Sequence, residues 1–201
     1  MSDLNIKKVY FPNLNGLRFI AALLVIIHHI EQFKKIFGLE NIYDQVPFVQ
    51  IIGKLGVVLF FVLSGFLITY LLLIEEEVTS KIDVKKFYLR RLLRIWPLYY
   101  LIVVISFFVL PYISFLEVAP YTKQLFTSYN IKLLLFLFFL PNLALVLFSL
   151  VPFASQSWSV GVEEQFYLLW PLLMKNSKNK LRLLLGVILV YFFLNLELQF
   201  L

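Results

Sequence analysis

Residues 55–74 run for 20 positions without a charged side chain, the length an α-helix needs to cross the hydrocarbon core of a bilayer. With Lys54 included, the apolar run covers 48–74. In lipid each backbone N–H and C=O must be satisfied within the chain, so a run of this kind folds as a helix. Further apolar runs occupy 14–30, 95–115, 131–151 and 183–200. Apolar residues make up 61% of the 201 positions, against about 45–50% in soluble proteins. The expected class is all-α: a polytopic transmembrane helical bundle of five or six spans, one segment of which can be re-entrant, forming a single membrane domain over 1–201.

Charge orients the runs. Residues 75–94 carry Glu75, Glu76 and Glu77, followed by Lys81, Lys85, Lys86, Arg90, Arg91 and Arg94. Six Lys/Arg in a short connection mark it cytoplasmic by the positive-inside rule. The N-terminus, with Lys7 and Lys8, lies two spans away and is expected inside too. The same rule puts 121–132 outside and 175–182 inside. That requires an odd number of passages between them, whereas two full spans give an even number. Either 152–174 enters without crossing, or the rule fails at one loop. The fourth run is interrupted by Pro141-Asn142, and an Asn at membrane depth implies a polar interior.

The net charge of +6 sits between the spans, so it points to topology and to anionic lipid or ligand, not to nucleic acid. Cysteine is absent, which excludes disulfides, thiolate metal sites and a cysteine nucleophile. Two adjacent histidines with scattered carboxylates do not form a metal-binding set. The first run opens on Arg18 and has no small-residue cleavage site after it, so it is expected to be a retained helix and not a signal peptide.

His28 and His29, the two histidines of the chain, close the first run. Eleven residues of helix turn His29 to within about 20° of Arg18, some 16 Å along the axis. His28 falls about 80° off that stripe. Ionisable groups at membrane depth are functional-site candidates, and an imidazole near neutrality is the commonest general base. Ser64 lacks the glycine two residues earlier that a nucleophile elbow needs, so it reads as packing, together with Gly53, Gly56 and Gly65. Trp96, Tyr99 and Tyr100 read as interfacial anchors. Glu163 and Tyr167 stand one helical turn apart, while Glu164 is expected to face water. A small transporter or channel subunit, with Arg18 and His29 as a proton relay, is the rival reading. It lacks a visible inverted repeat.

Four stretches favour one of these readings: Gly16-Leu-Arg with His29 eleven residues on, Phe60-Phe-Val-Leu-Ser-Gly-Phe-Leu67, Phe87-Tyr-Leu-Arg-Arg-Leu-Leu-Arg-Ile-Trp-Pro97, and Trp158-Ser-Val-Gly-Val-Glu-Glu-Gln-Phe-Tyr167. In this order the set closely resembles the membrane-bound acyltransferase-3 family, which transfers acyl groups to sugars and other cell-surface acceptors. The resemblance implies an O-acyltransferase with acyl-CoA, here acetyl-CoA, as donor substrate and no bound cofactor. The acceptor would be a hydroxyl of a carbohydrate or lipid-linked glycan. Its catalytic residues would be His29, Glu163 and Arg18. Arg91 and Arg94, with Arg90 beside them, would hold the coenzyme A phosphates, and Tyr167, Asn142 and Trp158 would support the site. His29 could serve as base or as covalent acyl carrier. Gly161 stands where a larger residue, or Ser or Ala, is expected, a change that should loosen the turn. The family has roughly ten spans, so the chain resembles its N-terminal half. The other half is then an expected partner, and an inactive fragment is the third reading.

Overall fold

The computed structural model describes residues 11–113 and 119–199; Lys7 and Lys8 lie outside them. All regular structure among the described residues is helical. The long elements are α1 (Pro12–Ile36), α2 (Pro47–Thr79), α3 (Val84–Val104), α7 (Trp158–Asn176) and α8 (Lys180–Gln199). Between α3 and α7 come α4 (Ala119–Phe126), α5 (Tyr129–Leu137) and α6 (Pro141–Leu147). Proline opens α1, α2 and α6, at the one helical position where its missing N–H costs nothing.

Three stretches are long and apolar enough to cross a membrane: Asn13–Ile36, Pro47–Thr79, and Val84–Tyr112, in which α3 runs on through a wide turn and a tight one. The expected count of five or six is not reached by that measure. The charged stretch 75–94 is also mostly helix. Residues 75–79 finish α2 and 84–94 begin α3, leaving 80–83 as the connection. Asp83 caps α3 by accepting the Lys86 N–H at 3.1 Å. Val84 and Phe87 are buried while Lys85, Lys86 and Arg90 are exposed, so one face of this turn of helix packs and the other is charged.

α1 and α2 form an antiparallel hairpin. Phe11 meets Phe66 and Tyr70 at one end, and His28 reaches Val49 at the other. A Cβ on Gly56 would stand 2.7 Å from the Ala21 carbonyl oxygen, and one on Gly53 2.5 Å from the His28 ring. These two glycines therefore set the helix separation, whereas Gly65 has open space around it.

The fourth apolar run forms no helix long enough to span. α5 has 9 residues, about 14 Å of helix against a hydrocarbon core of about 30 Å. It enters beside α3, from Tyr129 against Phe107 to Phe136, whose carbonyl accepts the Tyr99 Oη–H at 2.8 Å. The chain reverses at 138–140 and α6 returns, so that Ser149 Oγ stands 2.6 Å from Lys132 Nζ near the start of α5. From there the chain descends alongside α2. Trp158 meets Phe61, Glu163 meets Ser64, Trp170 bonds Thr69, and Met174 packs with Ile82 and Val84 at the α2–α3 turn. Between residues 121–132 and 175–182 the chain thus forms a short hairpin, α5 and α6, that turns back, followed by α7, which runs alongside α2.

Candidate functional site

Near the α1–α2 end that carries Phe37 lies a cavity of about 420 Å³, within the usual size range of small-ligand sites. His28, His29, Gln32, Lys54, Gln156 and Trp158 are among its walls. Phe33 and Phe153, stacked at 5.9 Å, help close it. His29 Nδ1 lies 2.9 Å from the Val25 carbonyl oxygen. A carbonyl only accepts, so in the neutral ring Nδ1 carries the proton and Nε2 keeps its lone pair. His28 Nδ1 donates in the same way to the Val49 carbonyl, across the helix pair at 2.9 Å, with its ring pressed against Gly53. Both rings therefore wall one cavity despite the 100° between neighbouring helical positions. His28 ties α1 to α2, while His29 bonds within its own helix.

A second polar group lies 11 residues further along α2 from Gly53, about 16 Å. Ser64 Oγ–H donates to Glu163 Oε1 at 3.0 Å, and Tyr167 Oη–H donates to Glu163 Oε2 at 3.0 Å. The Arg91 guanidinium lies 5.1 Å from the Tyr167 ring centre and 5.5 Å from that of Phe87. Glu163, Tyr167 and Arg91 are thus gathered in one place, and Ser64, read from sequence as packing, is the fourth member.

The arginines separate. Arg91 is half-buried under the aromatic rings, while Arg90 and Arg94 are exposed. Arg90 approaches Glu75 at 3.9 Å. Arg94 makes no hydrogen bond or ion pair among the described residues. Arg18 makes none either, is half-exposed, and does not line the histidine cavity. Glu163 and Arg91 do not line it. Of the residues expected at the site, only His29 and Trp158 wall the cavity.

The break between α5 and α6 is closed by side chains. Tyr99 and Tyr100 donate to the Phe136 and Leu137 carbonyls at 2.8 and 2.9 Å, and Gln165 Nε2 donates to Phe139 O at 3.2 Å. Gln165 Nε2 also donates to Asn142 Oδ1 at 3.0 Å. Carbonyls freed by a helix break at depth need such donors. Tyr99 and Tyr100, expected as interfacial anchors, are therefore hydrogen-bond partners of the break. Gly161 is a close-approach residue: a Cβ there would stand 2.7 Å from Pro141 Cδ and 3.0 Å from Phe139 O. Far from loosening a turn, it lets α7 seat against the break. Glu164 does not face water. It accepts from Trp96 Nε1 at 3.4 Å, and its Oε1 is buried without a partner. Lys132, expected in an external loop, is fully buried, with Nζ donating to Gln124 O and Ser149 Oγ.

The sequence matches the profile of the acyltransferase-3 family, described as an acyltransferase domain, over residues 11–199. The chain belongs to the acyltransferase-3 family. Among curated relatives, it is 29% identical over 196 residues to the "Peptidoglycan O-acetyltransferase" of Listeria monocytogenes, covering 90% of this chain and 28% of that protein. It is 30% identical over 171 residues to the "Putative peptidoglycan O-acetyltransferase" of Bacillus subtilis, covering 81% and 23%. With a "Putative O-acetyltransferase" of Staphylococcus aureus it shares 33% over 181 residues, covering 84% and 25%. This acyltransferase-family membrane protein spans about a quarter of the length of those relatives. No solved structure matches the chain.

Proposed function

We propose that the chain is the N-terminal part of a bacterial inner-membrane O-acetyltransferase that moves an acetyl group from acetyl-CoA to a carbohydrate hydroxyl. The names of the relatives make peptidoglycan the leading acceptor class. The observation that carries the reading is His29, held with Nδ1–H on the Val25 carbonyl and its ring on the cavity wall. The acceptor hydroxyl oxygen attacks the thioester carbonyl, forming a C–O bond and breaking the C–S bond. His29 Nε2 takes the hydroxyl proton and returns it to the departing sulfur.

The donor enters from the basic end, which faces the cytoplasm together with the N-terminus. Arg94, exposed and without an ion pair among the described residues, and Arg90 offer the planar guanidinium forks that phosphate oxygens fit. Arg91 has its guanidinium against aromatic rings beside Glu163, so it organises the passage between donor and cavity. Much of the α1 surface is apolar and exposed, Phe19 and Ile26 among it. That surface faces lipid or the remaining helices of the whole protein.

The test is acetyl transfer in membranes from labelled acetyl-CoA to muropeptides. His29→Ala should reduce transfer by a factor of about 10² or more. Transfer unchanged in that variant removes the base from the scheme.

A further inference from the structure

The α2–α3 turn, the first turn of α3 and the last turn of α7 enclose a cleft of about 260 Å³ lined by Lys81, Ile82, Asp83, Val84, Lys85 and Lys175. Its floor is packed: Ile82 and Val84 are buried and pack with Met174, which is fully buried. The three lysine backbones are therefore held in place, although their side chains are exposed.

The charges around this cleft are sorted unevenly. Lys86 pairs with Asp83 at 3.5 Å, Lys180 with Glu76 at 3.0 Å, and Arg90 with Glu75 at 3.9 Å. Lys81, Lys85 and Lys175, the three that line the cleft, form no ion pair and no side-chain hydrogen bond among the described residues. Lys81 feels Asp83 only at longer range. The one carboxylate in the lining is already engaged, accepting the Lys86 N–H on Oδ1 and facing the Lys86 ammonium with Oδ2. Three ammonium groups from three elements around one concavity, with no ion pair among the described residues, make a positive field.

We propose that this cleft binds a phosphate group. Ammonium groups recognise phosphate as point charges, and the cleft lies at the basic end, where two sources present the same oxygens. One is the ribose phosphate monoester of the coenzyme A donor. The other is the headgroup of an anionic lipid. The first source rests on the proposed function and extends the donor site two to three turns along α3 from Arg94; the second does not depend on it.

The test compares the protein with its Lys81→Gln/Lys85→Gln/Lys175→Gln variant, and with the single Lys175→Gln variant as the milder change, each checked for unchanged thermal unfolding. The probes are coenzyme A, dephospho-coenzyme A (which lacks the monoester), and nanodiscs of phosphatidylglycerol or phosphatidylcholine. If the donor supplies the phosphate, the triple variant binds coenzyme A at least about tenfold more weakly and dephospho-coenzyme A as before, with Lys175→Gln in between. If lipid supplies it, the loss appears in the preference for phosphatidylglycerol. Unchanged affinity for both ligands overturns the cleft. Coenzyme A that binds the protein and the triple variant alike, with no lipid effect, sinks the cleft and leaves the donor reading standing. Coenzyme A that binds neither, with a lipid preference lost in the variant, does the reverse.

Discussion

The Ser64 hydroxyl donates to Glu163 Oε1 at 3.0 Å across 99 residues of chain, so the midpoint of α2 is tied to α7 through a carboxylate. Tyr167, one turn below on α7, donates to the other oxygen. Ser64→Ala removes one of these two donors. A hydrogen bond to a charged group contributes about 1.5–3 kcal/mol, so the variant should unfold at lower temperature in detergent and lose transfer activity. Ser64→Thr keeps the hydroxyl and should recover part of both. If Ser64→Ala melts and works like the parent, the bond has no role.

Gly161 and Gly65 provide a matched pair. Gly161→Ala drives a methyl to within 2.7 Å of Pro141 Cδ, and overpacking of this kind costs about 1–3 kcal/mol. Gly65→Ala meets nothing within 4 Å and should be neutral or stabilising by up to about 1 kcal/mol, because alanine is the better helix former. Thermal unfolding of the two variants side by side should rank them in that order.

The histidines should divide by kind of defect. His28→Ala removes the bond from the ring to the Val49 carbonyl across the helix pair and opens a gap at Gly53. It should lower stability by about 0.5–1.5 kcal/mol and keep most of the turnover of the molecules that remain folded. His29→Ala should leave Tm nearly unchanged and abolish transfer. Loss of turnover alike in both would mean that the two rings act together.

Arg91→Lys preserves charge but loses the flat guanidinium that rests near Tyr167 and Phe87. Stacking of this type is worth about 0.5–2 kcal/mol, and lysine does not reproduce it. The substitution should lower Tm, whereas Arg94→Lys, at an exposed position, should not. Arg94→Ala should instead raise the donor KM. A donor KM that responds to Arg91 and ignores Arg94 would reverse the two roles.

Asp83 offers a pH test outside the spans. The Lys86 N–H, then the Lys86 ammonium, hold its carboxyl below the usual carboxylate range. A depressed carboxyl contributes stability that is full above its unfolded pKa and lost as pH falls through the folded one. The protein should therefore lose α3 capping only below about pH 4. Asp83→Asn, a good cap that does not titrate, should flatten that part of the stability profile. A profile of the same shape in both proteins would remove Asp83 as its cause.

The membrane class, the first three spans and the basic end are all legible in the residues, because a bilayer leaves an uncharged 20-residue run no alternative to helix. The candidate site is legible only in part. His29 announces itself as one of two histidines at depth, and Glu163 with Tyr167 shows in the one-turn spacing. Ser64 does not, because a hydroxyl in an apolar run has the same local pattern whether it meets a carboxylate or a methyl group. Lys132 misleads for a related reason. Its charge reads as a loop signal, and only the return of α6 brings Ser149 to its ammonium group. What the sequence determines by itself follows from transfer free energy and helix geometry, which act along the chain one segment at a time. The reversal at 138–140, the close seat at Gly161 and the separation of the histidine cavity from the Glu163 cluster were decided by tertiary structure. Each depends on which groups meet from segments far along the chain, and no local pattern encodes that pairing.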